Sequence, residues 1–295
     1  MKKAFIQLHV AVFLAGFTAI IGKLISLNEG ILVLYRLLLT IIILYVFLYF
    51  TNKSLRISKR NVWRIFAVGG VVGIHWVAFY GSVKYSNVSV TLTCLSSIGF
   101  FTAILEPIIM KRRIDLIEVL LGLFAILGIY LIFDFHPQYK VGIVFGIISS
   151  LMASVFPIYN KKLLKEFTPE TLTFYEMTGG FILLGILMPF YLKLFPAGKY
   201  IPDLSDWVWL IVLASLCTVF AFLLQLNALK KISAFTSSLT YNLEPVYGII
   251  LGFIIFHENK YLRPEFYAGL GLIFLAVLLQ MARVYQLHRK ARSNE

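Results

Sequence analysis

The sequence predicts an all-α integral membrane protein, with ten transmembrane helices arranged as two inverted five-helix repeats. Composition, the length of the apolar segments and the distribution of positive charge predict it. Of 295 residues, 60% are hydrophobic and only 14% charged, against about 25% charged in a soluble domain. With a mean hydropathy of +0.86, a water-soluble core is excluded. Apolar segments near the roughly 20 residues that span a bilayer occupy 5–27, 30–50, 62–84, 90–110, 116–134, 140–161, 169–192, 207–229, 233–256 and 264–283. None alternates with period two, so a membrane barrel is excluded as well. The first segment follows Lys2 and Lys3 as a signal peptide would, but Ser26-Leu27-Asn28-Glu29-Gly30 lacks a small-residue cleavage pattern, and the segment is expected to be retained.

With both termini cytoplasmic, the inside segments hold 19 Lys and Arg residues, among them Lys53, Arg64, Arg112, Arg113, Lys161 and Arg283, and the outside segments hold 6. This bias fixes the expected orientation by the positive-inside rule, in an inner membrane. It also accounts for the net charge of +13 without nucleic acid as a partner. Cys94 and Cys217 both lie in apolar stretches and read as packing residues.

A shift of 140 residues lays Tyr35-Arg36 on Tyr175-Glu176, and Asn28-Glu29-Gly30 on Thr168-Pro169-Glu170. A shift of 147 lays Lys84 on Lys231, Ser86 on Ser233, Ser89 on Thr236 and Gly122 on Gly269. Residues 1–134 and 135–295 thus form two repeats, the second carrying a basic tail. Five spans is an odd number, so the second repeat crosses the membrane upside down, as in many secondary transporters.

These features, together with Leu243-Glu244-Pro245 in span 9 and Phe256-His257-Glu258 ahead of a glycine-containing last helix (Gly269, Gly271), resemble the EamA-type branch of the drug/metabolite transporter superfamily. The resemblance implies a central cavity between the halves, and export or exchange of small metabolites, amino acids among them. Two positions depart from it. Ile98 stands where a proline opposite Pro245 is expected, with Pro107 displaced along the span, and Lys111 stands opposite Glu258. The first repeat is therefore expected to bend at a different depth from the second.

Ionisable groups inside a span are costly and mark functional candidates. Glu244 shares a helical face with Ser237, Thr240, Tyr241, Tyr247 and Gly248, a stripe suited to a wet cavity. Pro245 frees a carbonyl near Tyr241. His75 with Trp76, Phe79 and Tyr80 is the other central feature, and an imidazole titrates near physiological pH. Ser97, with Thr93, Ser96 and Thr102, gives span 4 a milder polar surface that serves substrate or helix contacts equally well. Glu244, His75, Trp76, Tyr80, Tyr241, Ser97 and Tyr247 are the substrate-binding or coupling candidates. Arg36, Glu176, Glu106, His9 and Lys23 are gating or structural candidates. Of these, His9 and Lys23 lie near enough to the ends of span 1 to snorkel, and Glu106 lies within about a turn of Lys111-Arg112-Arg113.

No phosphate loop, zinc cluster or nucleophile elbow occurs, so neither a cofactor nor enzymatic activity is expected. The expected activity is alternating-access export of small metabolites, amino acids or related zwitterions first, with the lipid bilayer and protons as the further partners. An uncoupled facilitator is the alternative, ahead of a membrane-embedded enzyme or scaffold. Oligomeric state stays open.

Overall fold

The computed structural model describes residues 2–52, 55–111, 113–135, 137–231, 240–241 and 243–293, and among them every regular element is helical. Lys53, Arg112, Ser233, Thr236 and Ser237 lie outside the described residues, as does the start of the ninth expected span. The helices are α1 (Lys2–Leu24), α2 (Glu29–Phe50), α3 (Lys59–Tyr85), α4 (Val88–Leu95), α5 (Ile98–Met110), α6 (Leu116–Phe135), α7 (Lys140–Leu163), α8 (Pro169–Leu194), α9 (Leu204–Ala214), α10 (Ala221–Leu229), α11 (Glu244–Phe256) and α12 (Pro264–Ser293). A π-helical turn, Ser215–Phe220, joins α9 to α10. Among the described residues seven segments are long and apolar enough to cross a membrane, with α4 and α5 forming one and α9 to α10 another, and shorter apolar helices cover Leu116–Leu131, Glu244–Phe256 and Pro264–Ala276.

Side chains start these helices by accepting from orphan backbone N–H groups. Asn28 accepts from Gly30 N, Ser58 from Asn61 N, Asn87 from Val90 N, and Thr168, ahead of Pro169, from Thr171 N. Asp203 and Asp206 form a reciprocal capping box at α9.

The fourth expected span is broken at Ser96-Ser97, where no proline or glycine stands. Serine hydroxyls make the break tolerable: the Cys94 carbonyl accepts from Ser97 Oγ at 2.7 Å and from Ser150 Oγ of α7 at 2.9 Å. The 147-residue shift maps Ser97-Ile98 onto Glu244-Pro245, where α11 begins. In that register α5 and α11 start within one residue of each other, with serines and no proline at the first-half break. Both distal half-helices are 13 residues long and end in a left-handed residue, Lys111 (φ 55°) and His257 (φ 53°).

Contacts fix the relative directions of the helices. α1 and α3 run together, with Gly22 against Tyr80 and Lys84 donating to the Ile25 carbonyl at 2.8 Å. α7 runs against α3, pairing Gly142 with Ser86, Phe145 with Gly81 and Ser149 with His75. α8 runs with α3 and against α2, since Gly69 meets Glu176, Gly73 meets Gly180, and Gly30 meets Met188. α11 runs with α1, setting Gly248 on Gly16 and Glu258 beside Lys23. α6 and α12 pair in opposite directions through Gly128, where an added Cβ would lie 2.5 Å from the Gly269 carbonyl. Small residues permit such close approach, which drives helix association in lipid.

One core cluster, including Leu32, Leu37, Val72, Leu184 and Leu210, joins α1, α2, α3, α8 and α9. Large apolar side chains also cover the outside, for example Ile42, Leu120, Phe190 and Ile254. Such a surface suits lipid and not water. One rim carries the start of α1 with the Arg64–Glu166 and Arg283–Asp115 pairs; the opposite rim carries Lys23, Glu29, Lys84, Asp206 and Glu258.

Candidate functional site

Arg36 of α2 is buried, 2% exposed, and α3 and the π-helical turn cradle it. Its Nε donates to Thr218 Oγ1 at 2.9 Å and its Nη1 to the Tyr80 hydroxyl at 2.7 Å. The guanidinium carbon sits 3.6 Å from the centroid of the Trp76 ring, a cation–π contact strengthened by exclusion of water. Thr218 can accept because its own proton goes to the Leu213 carbonyl, five residues back, at 2.7 Å. The π-helical turn creates that spacing, and without it Thr218 would face elsewhere. Nη2 makes no hydrogen bond among the described residues, and Arg36 lines the adjoining cavity.

That cavity, about 410 Å³, lies between the two halves of the chain and contains Arg36, His75, Trp76, Tyr241 and Glu244 in its wall. Its volume is in the range of small-ligand sites, about 300–1,000 Å³. His75 Nδ1 lies 2.9 Å from the Ser149 carbonyl, to which only an N–H can donate, so Nε2 is left as the acceptor of a neutral ring. Phe79 and Phe156 flank the imidazole. Glu244, at the first turn of α11, makes no hydrogen bond or ion pair among the described residues. A cation and a carboxylate thus share one aromatic-walled space. Among the described residues no group of three or more metal-binding side chains occurs.

The cavity continues past Ser96, Thr102 and Gln225 to Glu106, Arg113, Glu118 and Lys161, which bring it to the rim where α1 starts. On that rim the Arg64 guanidinium holds the Glu166 carboxyl below the usual carboxylate range, and Arg283 does the same for Asp115. The opposite rim is closed. Glu258, 3% exposed, accepts from Lys23 Nζ at 2.6 Å, from Val88 N at 3.1 Å, and from Ser89 N and Oγ at 2.8 and 2.6 Å. One carboxylate therefore ties α1, α4 and α11 together. Tyr191 adds a 2.6 Å bond to Glu29, and Asp206 accepts from Ser26 N and Oγ.

Glu258→Gln is expected to loosen this closure. The carboxylate is buried, so losing its charge costs at least the ~1 kcal/mol of an exposed pair, or roughly fivefold in population. Both cysteines are buried, but only Cys217 is in the cavity wall, so a membrane-impermeant thiol reagent applied at the Lys23 rim should label Cys217 about fivefold faster in the variant. An unchanged rate would mean that Glu258 does not hold that rim shut.

Of the sequence candidates, Arg36, His75, Trp76, Tyr241, Glu244 and Glu106 are brought together on the cavity wall. Tyr80 is fully buried behind Arg36, Ser97 is spent on the Cys94 carbonyl, and Tyr247 packs edge-on to Phe13 at 5.7 Å. Glu176 is buried against α3, Lys23 is paired with Glu258, and His9 is exposed on the outside of α1. Thr218, Ser149 and Cys217 belong to the site or its support and were not singled out by sequence. A threonine, a serine and a cysteine in apolar helices carry no signal apart from their neighbours.

The EamA-like transporter family profile matches this chain twice, over residues 2–134 and 140–282. The chain belongs to the EamA-like transporter family. It is therefore a multi-pass membrane protein and a transporter homologue, not an enzyme. The EamA-like chain is 28% identical over 228 residues to an uncharacterized transporter of Archaeoglobus fulgidus, covering 76% of this chain and 79% of the relative. It is 23% identical over 289 residues to the uncharacterized transporter YyaM of Bacillus subtilis, covering 92% and 93%. A solved structure titled only "Crystal structure of protein" superposes with a TM-score of 0.65 at 14% identity, covering 97% of this EamA-like chain and 99% of that one. This last likeness speaks to the fold alone.

Proposed function

We propose that the protein is a secondary transporter of ten membrane-spanning helices in two inverted repeats, residues 1–134 and 135–295, that exports amino acids or related zwitterions by alternating access. The observation that carries the reading is the single cavity whose wall holds both the Arg36 guanidinium and the Glu244 carboxyl, opening toward one rim and shut at the other. Arg36 Nη2 meets the carboxylate of the cargo, Glu244 meets its ammonium group, and Trp76 and Tyr241 cover its apolar part. Protons exchange at Glu244 or at His75 Nε2. The positive residues put the open rim on the cytoplasmic side of an inner membrane, so this is an inward-open state.

The inverted arrangement draws support from helix pairing. α1 packs on α9 to α10 as α7 packs on α3, and α1 packs on α11 as α7 packs on α4 and α5. The pairs α2 with α8, α4 with α11 and α6 with α12 are related to themselves by the same exchange of halves. First helices that run in opposite directions satisfy the odd-span condition.

Purified protein in liposomes should move radiolabelled neutral L-amino acids, and Glu244→Gln should cut that flux by about tenfold or more. This is the cost of losing one charged hydrogen bond, about 1.5–3 kcal/mol. Thermal unfolding should be unaltered, since Glu244 bonds to nothing within the protein among the described residues. Undiminished flux would remove Glu244 from the site.

A further inference from the structure

The Glu176 carboxyl is the most isolated acidic group described. It is 0% exposed and lies outside the cavity lining, on the stretch of α8 whose backbone at Glu176 touches Gly69 of α3. Asn160 of α7, itself 2% exposed, is the polar group beside it. Both Glu176 oxygens and Asn160 Oδ1 are buried without a hydrogen-bond partner. With a single amide beside it and no counter-ion among the described residues, a carboxylate buried here is costly, which favours the protonated form while the seam is closed.

Among the described residues no charge faces it from the elements packed around it. On α3, Gly69 is opposite; Arg64 is engaged by Glu166, and His75 by Ser149. On α7, Lys162 donates to the Ile109 carbonyl and Lys161 turns to the cavity. On α2, Arg36 is held by Thr218 and Tyr80, and Glu29 by Tyr191. α10 contains no titratable residue. Within α8, the Tyr175 hydroxyl donates to the Leu55 carbonyl.

We propose that Glu176 is a proton-binding site of the transport cycle, separate from the cargo cavity. The proposal rests on the transporter reading. The seam is dry because Gly69, Gly179 and Gly180 let the two backbones touch. α3 also bears His75, Trp76 and Tyr80, so any rocking that moves the cavity wall slides this seam. When the seam parts, water reaches the carboxyl, the O–H bond breaks, and one proton passes to water, leaving a carboxylate. The seam closes again only after a proton is taken back from the side then open. Each turnover thereby carries one proton, with the charge on Glu176 alternating between zero and minus one.

Infrared difference spectroscopy of the purified protein between acid and alkaline buffer tests this with no cargo. The expected result is a protonated-carboxyl band that persists at neutral pH in the wild type and is missing in Glu176→Gln. In liposomes, an outward-directed or inward-directed pH gradient should change neutral L-amino-acid flux severalfold in the wild type and severalfold less in Glu176→Gln, where only Glu244 and His75 remain to exchange protons, while gradient-free exchange survives. Should that variant fail to fold, Asn160→Leu keeps the carboxyl, and its band should move in frequency. Absence of the band from the wild type, an unmoved band in Asn160→Leu, or a gradient response kept in full by Glu176→Gln overturns the proposal. Sodium-dependent thermal stabilisation that Glu176→Gln removes overturns it too, assigning the oxygens to a metal cation. If amino acids do not move at all, the cargo assignment fails while the infrared band still decides the fate of Glu176.

Discussion

Gly69→Ala is expected to prevent recovery of folded, monodisperse protein. An added Cβ at this position would overlap the backbone carbonyl of Glu176, with its Cα and carbonyl carbon also within contact. Overpacking typically costs about 1–3 kcal/mol when side chains can move aside. Here the obstacle is backbone on both sides, held by Gly179 against Phe66 and Gly180 against Gly69, so the expected cost is at or above the top of that range. Gly185→Ala on the same α8 helix is the control, because a Cβ there meets nothing within 4 Å. It should raise stability by up to about 1 kcal/mol through helix propensity. Size-exclusion profiles and thermal unfolding of the two variants give the comparison. Wild-type behaviour of Gly69→Ala would show that α3 and α8 are farther apart than described.

Arg36→Met should lower amino-acid flux by about tenfold to a hundredfold, the equivalent of about 1.5–3 kcal/mol for one charge-assisted contact to the cargo carboxylate. Methionine fills the space on Trp76 while removing the charge and both donors. Arg36→Lys should recover little, since one ammonium cannot reach Thr218 Oγ1 and the Tyr80 hydroxyl while also presenting a donor to the cavity. Flux in liposomes with matched protein orientation measures the effect. A lysine variant that transports at the wild-type rate would reduce Arg36 to a simple positive charge, and an active methionine variant would take it out of cargo binding.

The helical segments were largely legible because a bilayer demands long apolar runs, and the described helices overlap the expected spans closely; α2, for instance, covers Glu29–Phe50 against the expected 30–50. The break at Ser96-Ser97 was not, because two serines in an apolar run read as surface polarity and not as a turn. The π-helical turn was likewise hidden, since Ser215–Phe220 has an ordinary helical composition. The site was legible by its charges: Glu244, His75 and Trp76 reach the cavity wall. Arg36 was read as gating or structural, and its place beside Trp76 depends on Thr218, about 180 residues away in sequence. Tyr80, Ser97 and Tyr247 were polar groups on plausible faces, yet lipid makes every face apolar, so periodicity alone does not tell an inward side chain from one used between helices.

The π-helical turn has a mechanical corollary. A wide turn is one surplus residue wound into an α-helix, and it leaves the local backbone ladder slacker than the turns above and below. The segment from Leu204 to Leu229 therefore has a compliant joint at its middle without spending a proline on it. Thr218 is mounted on that joint, so flexing of the helix tugs directly on the guanidinium it anchors.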